Sequence, residues 1–206
     1  MATHSRASTD QSGVARRAFL FLATAVLLSL AACGGEEPTP PPTSGAGGGK
    51  LPEKCAPTSE ANAAYASTTG RYCFQYLARF KLSETAPGSV VLSGPALGEG
   101  PESIEASLSV QTLGPAKGRT ASQLADAELA LSPGVEVARS SSTLGGEPAE
   151  VMEGLPGRTN SRQLFVVYAD TGYRLILQPV DEAFPQATGD VQAVWDSVTS
   201  SFTFLP

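Results

Sequence analysis

The chain has 206 residues, 14 Lys and Arg against 20 Asp and Glu, and a net charge of −6. That length suits one domain with an extension. The absence of any basic run, or of basic residues interleaved with aromatics, argues against nucleic acid or anionic lipid headgroups as partners.

In chain order, Arg16 and Arg17 come first, followed by an uncharged run over 18–32. The run is shorter than the roughly 20 apolar residues that span a bilayer. A positive start, a short apolar stretch and small residues at its exit predict an export signal over 1–32. The exit itself, Leu30-Ala31-Ala32-Cys33, resembles the lipobox of bacterial lipoproteins. The resemblance implies cleavage between Ala32 and Cys33 and a diacylglyceryl thioether on the Cys33 thiol. The protein is then lipid-anchored on the extracytoplasmic face of the cell membrane or outer membrane. The competing reading is an ordinary export signal with a chance cysteine. "ARRAFL" also resembles the twin-arginine motif, but Ala15 stands where that motif has Ser or Thr. The leucine-rich stretch suits the general secretory route.

Residues 33–50, "CGGEEPTPPPTSGAGGGK", are nearly all Gly, Pro, Ser, Thr and Glu. They cannot bury enough apolar surface to offset ordering entropy, which predicts a disordered tether. Its reach is on the order of 20 Å as a coil and about 50 Å as polyproline. "SGAGGGKL" is not a phosphate loop: Ser44 takes the place of the first glycine, and Leu51 follows Lys50 where Ser or Thr is needed.

Residues 51–206 form the predicted globular domain. "RYCFQYLARFKL" (71–82) follows Gly70 as a first strand or hairpin, and "SVVLSG" (89–94) is a short strand. "SIEASLSVQTL" (103–113) alternates, with Ile104, Ala106, Leu108 and Val110 inward. Thr120 and Gln123 have capping-box spacing, so a helix starts there with a stripe of Leu124, Ala127 and Leu131 and stops at Pro133-Gly134. "VEVARSS" (135–141) and "EPAEVMEGL" (147–155) are strands around the turn Gly145-Gly146. "RQLFVVYAD" (162–170) is apolar from Leu164 to Tyr168, as in a strand covered on both faces. "DTG" (170–172) is a hairpin loop into "YRLILQPV" (173–180). Val191, Val194, Trp195 and Val198 are spaced i, i+3, i+4, i+7 on a helix over about 190–200. Phe202 and Phe204 then face one way from a closing strand.

Once Cys33 is lipidated, two cysteines remain, Cys55 and Cys73. Outside the cytoplasm an even pair fits one disulfide; two free buried thiols are the alternative. There is no CxxC spacing to suggest redox catalysis.

Strand "GRYCF", helix "TASQLADAEL", turn "LGGEPA", hairpin "RQLFVVYADTGYRLILQP" and ending "VWDSVTSSFTFLP" together resemble a PsbP-like module, whose fold the Mog1 proteins share. The resemblance spans most of residues 65–206. It implies an α+β fold in which an antiparallel sheet is sandwiched between helices. It also implies a role in binding or assembly without catalysis, because members act chiefly as such modules.

The chemistry points the same way. The single histidine, His4, lies in the signal, so the mature chain has no imidazole to serve a nucleophile or ligate a metal. No G-x-S-x-G elbow occurs, and no cofactor is expected. "DEAFPQATGD" gathers Asp181, Glu182 and Asp190 without EF-hand spacing and reads as a solvated loop with Asp190 near a helix start. Trp195, at helical spacing, reads as core. Arg162 and Arg174 flank the hairpin, with Arg158 just before them, and make a candidate site for an acidic partner or small anion. The competing reading pairs them with Glu150 or Glu153 on a neighbouring strand. Two functions stay open: an envelope module that holds a protein or small ligand, and a histidine-free, carboxylate-dependent hydrolase or Ca²⁺-binding protein.

Overall fold

The computed structural model describes residues 51–97, 103–181 and 188–206. The signal, Ala32, Cys33, the linker and Glu182 lie outside these residues. After a single 3-10 turn, Glu53–Cys55, come strands β1 (Asn62–Ser67), β2 (Tyr72–Leu77), β3 (Lys81–Ala86), β4 (Ser89–Leu97) and β5 (Ile104–Pro115). Helix α1 (Ala121–Leu129) leads to β6 (Ala138–Leu144), β7 (Glu147–Leu155), β8 (Ser161–Tyr168) and β9 (Thr171–Gln178). Helix α2 (Thr188–Ser201) and β10 (Thr203–Phe204) close the chain. Strands β3-β4-β5-β9-β8-β7-β6 make an antiparallel seven-stranded sheet, and β1-β2-β10 a three-stranded one.

Strand alternation sorts the large sheet into two faces. Leu164, Val166, Tyr173, Leu175 and Leu177 point into the main core with α2 and the small sheet. Phe165, with Met152 and Leu155, points the other way, against Leu124 and Ala125 of α1. The run Leu164–Val166 is therefore buried on both sides of β8, as its sequence demands. The antiparallel α+β architecture is the expected one, but the helical sandwich is only partial. On one face the only helix among the described residues is α1, seated on β7 and β8. On the other, α2 shares the layer with a small sheet.

That small sheet is where the sequence reading falls short. β1, "NAAYAS", has little intrinsic strand preference and exists because it pairs with β2 along its length. The segment 71–82 is neither one strand nor a hairpin: β2 and β3 belong to different sheets. The chain passes between them at a turn in which the Phe80 amide donates to the Leu77 carbonyl at 2.9 Å. Phe80 then buries itself over Gly94, where a Cβ would lie 2.5 Å from its ring. Only glycine leaves room for that ring.

Helix α1 carries the complete Thr120/Gln123 capping box. It ends at Leu129, before the expected stop, and buries Leu124 and Ala125 while Ala127 is exposed and Leu131 is 77% exposed. The β6–β7 turn is Gly145-Gly146, both with positive φ. The β8–β9 turn is Ala169-Asp170, at φ 46° and 58°, and not "DTG". Asp170 stabilises this left-handed pair by accepting from the Gly118 amide at 3.1 Å and, through its carbonyl, from the Ala116 amide at 2.6 Å. Gly172 instead lies within β9, where its missing side chain admits Leu124 of α1, 3.0 Å from a hypothetical Cβ. In α2, the stripe of Val191, Val194, Trp195 and Val198 is buried as expected.

Candidate functional site: the groove beside helix α2

Helix α2 packs on β2, β5 and β9. The strands beyond β9 extend past it, and a groove of about 720 Å³ opens between the helix and the β6–β8 end of the sheet. Its apolar floor is Val151, Leu164, Trp195 and Phe202. β7 and β8 supply Val151 and Leu164 because their alternation sends those side chains to the α2 face. Four charges stand around it: Lys54 and Arg162 against Glu153 and Asp196. A smaller pocket of about 430 Å³, lined by Thr58, Gln75 and Ser197 among others, also includes Lys54 and Ser200 of the groove.

Arg162 is held from three directions. Its Nε donates to Glu153 Oε1 at 2.6 Å, its Nη1 donates to Gln192 Oε1 at 3.2 Å, and its guanidinium lies 5.3 Å from the centre of the Trp195 ring. Cation–π contact and a charge-assisted bond fix the side chain along the groove wall. Asp196 accepts from Gln192 Nε2 at 2.7 Å. The carboxylates here position neighbours, and Trp195, only 8% exposed, is both core and floor.

Lys54 reaches the groove because the 3-10 turn that carries it is bolted to the small sheet. Cys55 and Cys73 form a disulfide with Cα atoms 5.8 Å apart, both residues fully buried. Gln75 Nε2 donates to the Lys54 carbonyl at 2.8 Å, and the Gln75 amide donates to Ser201 Oγ at 2.8 Å. The 3-10 turn, strand β2 and the end of α2 are thereby one unit.

The three arginines singled out in the sequence do not come together. Arg162 and Arg174 occupy opposite faces of the sheet, since Phe165 is the register partner of Arg174 and Leu177 that of Arg162. Arg174 Nη1 meets Glu128 Oε1 of α1 at 2.5 Å, and its Nη2 donates to Gln111 at 2.8 Å. It fastens the helix to the sheet. Glu153 takes Arg162, while Glu150 takes Arg139, whose other partner is Asp126 at 2.6 Å. The hydrogen bonds that Arg139 donates to Asp126 and then to Glu150 hold its guanidinium above its ordinary pKa. Arg158 is exposed in the 156–160 loop, which Asn160 closes by donating its amide to Asp181 at 2.7 Å. Asp190 pairs with Arg79 at 2.6 Å in the first turn of α2. Asp181 and Asp190 thus serve different contacts.

Among the described residues, no three His, Cys, Asp or Glu side chains are grouped to hold a metal ion. No helix among them is long and apolar enough to cross a membrane. Sequence reasoning missed Lys54 and the β6 side of the groove. The available signal was "SSST" (140–143), a run of exposed strand positions that are small and polar on both faces, as befits a sheet edge.

No family model matches the chain, and no curated protein does. Among solved structures, the solution structure of cyanobacterial PsbP (CyanoP) from Synechocystis sp. PCC 6803 is similar. Sequence identity is 16%, the match covers 73% of this chain and 96% of that one, and the TM-score is 0.46.

Proposed function

We propose that this chain is a lipoprotein fixed to an extracytoplasmic membrane face through Cys33, and that its PsbP-like domain is a non-catalytic binding or assembly module. The observation that carries the binding role is the groove beside α2. Its floor is apolar, and its two carboxylates are engaged in positioning Arg162 and Gln192. The lipobox supports the anchor and the 33–50 segment supports a tether that sets reach. Two or more acyl chains hold stably where a single chain would not. A protein partner in the envelope or a small ligand fits the groove, and nucleic acid does not fit the acidic domain.

Intact mass and turnover measured on one preparation test this reading. Wild-type protein from membranes carries diacylglyceryl on Cys33, Cys33→Ser remains an unprocessed precursor, and neither hydrolyses ester, peptide or glycan substrates. Turnover abolished by changing Glu153 or Asp196 would establish the hydrolase instead. Unmodified Cys33 in wild-type protein would remove the anchor.

A further inference from the structure

We propose that the free edge of β6, with the groove beside it, is a strand-addition site for an extended, uncharged segment of a partner protein that carries large apolar side chains at alternate positions. The inference rests on the binding-module reading and names the mode and chemistry of the partner.

The two edges of the large sheet differ. At the β3 edge, the pairing with β4 is broken by a bulge between Glu84 and Ala86, and Lys81 and Glu84 add charge; such features keep strangers off an edge. The β6 edge has none of this protection. β6 pairs with β7 in unbroken register from Ala138↔Glu153 to Leu144↔Glu147 and has no other strand neighbour among the described residues. It contains no proline, and its single charge, Arg139, is neutralised by Asp126 and Glu150. Alternate N–H and C=O groups of an edge strand point outward, unpaired, and accept a further strand by main-chain hydrogen bonding.

The groove tells which strand fits. Register partners share a face, so Ser140 and Ser142 lie on the side of Val151 and Ala149, which is the groove side. An added strand lies about 4.8 Å beyond β6. From there, large side chains lean across the two serines toward Val151, Leu164 and Trp195. A second copy of β6 presents Ala138, Ser140 and Ser142 on that side, while Leu144, its one large apolar side chain there, is already buried in its own core, so the groove stays empty. The balance of Lys54 and Arg162 against Glu153 and Asp196 disfavours a segment of strong net charge.

The test uses residues 50–206 isotopically labelled, with the disulfide intact, and capped peptides as long as β6 that alternate threonine with leucine and phenylalanine. The parent peptide shifts amide resonances along β6 and the Trp195 indole, and protects β6 amides from exchange. Peptides N-methylated at alternate residues come in two parities. The parity that loses its N–H groups facing β6 binds about tenfold weaker or worse, while the other binds as the parent does. Ser142→Trp, which fills the groove from an exposed position, weakens the parent peptide similarly without unfolding the domain. Equal binding of both methylated peptides overturns strand addition, as does a peptide that shifts Trp195 alone. Protection of β6 without peptide that scales with protein concentration assigns the edge to a second copy and overturns the proposal. Failure of every peptide overturns it too, while leaving the binding-module reading to its own test by lipidation and turnover.

Discussion

On the α1 face of the seven-stranded sheet, charges hold the helix: Asp126 and Glu128 reach down to Arg139 and Arg174 around a small cluster of Leu124, Ala125, Met152, Leu155 and Phe165. On the α2 face, rings do the holding. Tyr72 stacks on Phe202 at 5.3 Å, Tyr65 and Phe74 meet at 5.6 Å, and every buried tyrosine belongs to this side among the described residues. The α1 arginines have both partners and packing, so they leave nothing to offer a ligand. The corresponding arginine on the α2 side, Arg162, flanks open space. One face is closed by its ion pairs, and the other stays open where its helix ends short of the sheet's edge.

The largest blow to that contrast is removal of the disulfide. Cys55→Ala with Cys73→Ala, residues 18 apart in sequence, costs about 3 kcal/mol of stability in urea unfolding. Amide exchange accelerates first in the 3-10 turn, which brings Lys54 to the groove, and in β2, which lines the smaller pocket beside it, while Met152 and Phe165 on the α1 face keep their protection. Uniform acceleration would mean that the two faces are not separately held.

Alkali sharpens the same comparison. Burial, reinforced by the hydrogen bond the Tyr65 hydroxyl donates to Glu84, pushes Tyr65 from 10.0 up to about 12, and burial raises Tyr72 and Tyr173 as well. A folded-state pKa above the unfolded one means that folding favours the protonated form. Its stabilising effect is complete below pH 10 and is lost as pH rises through 10 toward 12. Urea midpoints therefore fall over that window, with α2-face resonances shifting first, and Tyr65→Phe moves the onset upward. A midpoint that stays flat across the window would contradict the burial of these hydroxyls.

The smallest effect separates the two arginines. Arg174→Met costs about 1 kcal/mol and removes part of the salt dependence of stability, because the Glu128 pair is lost. Arg162→Met costs less, since Trp195 retains its packing, but it changes binding in the groove. Identical profiles for the two variants would erase the distinction between a structural and a lining arginine.

Much of the fold was legible because local patterns and tertiary structure agree. The alternation of β5, the apolar run of β8, the capping box of α1 and the stripe of α2 each encode their own surroundings. The small sheet was not legible. Pairing of β10 with β2 joins Phe204 to Tyr72 across most of the chain, and no local propensity announces such a contact. The same holds for Gly172, whose neighbour in sequence suggested a turn while its neighbour in space is Leu124. At the site, Arg162 and Trp195 stood out as residues, but their face depends on strand register, and a reading that places Arg162 with Arg174 misses the sheet between them. A groove formed by what α2 leaves uncovered has no signature in any one segment.

The most direct measurement places a photo-crosslinking amino acid at Ser142, beside the groove, or at Ala127, exposed on α1, in the full-length chain within intact envelopes. The account predicts one discrete adduct from Ser142, lost in Cys33→Ser, and none from Ala127. An adduct from Ala127 alone, or the same adducts from both, would contradict the claim that the α2 side is the working face.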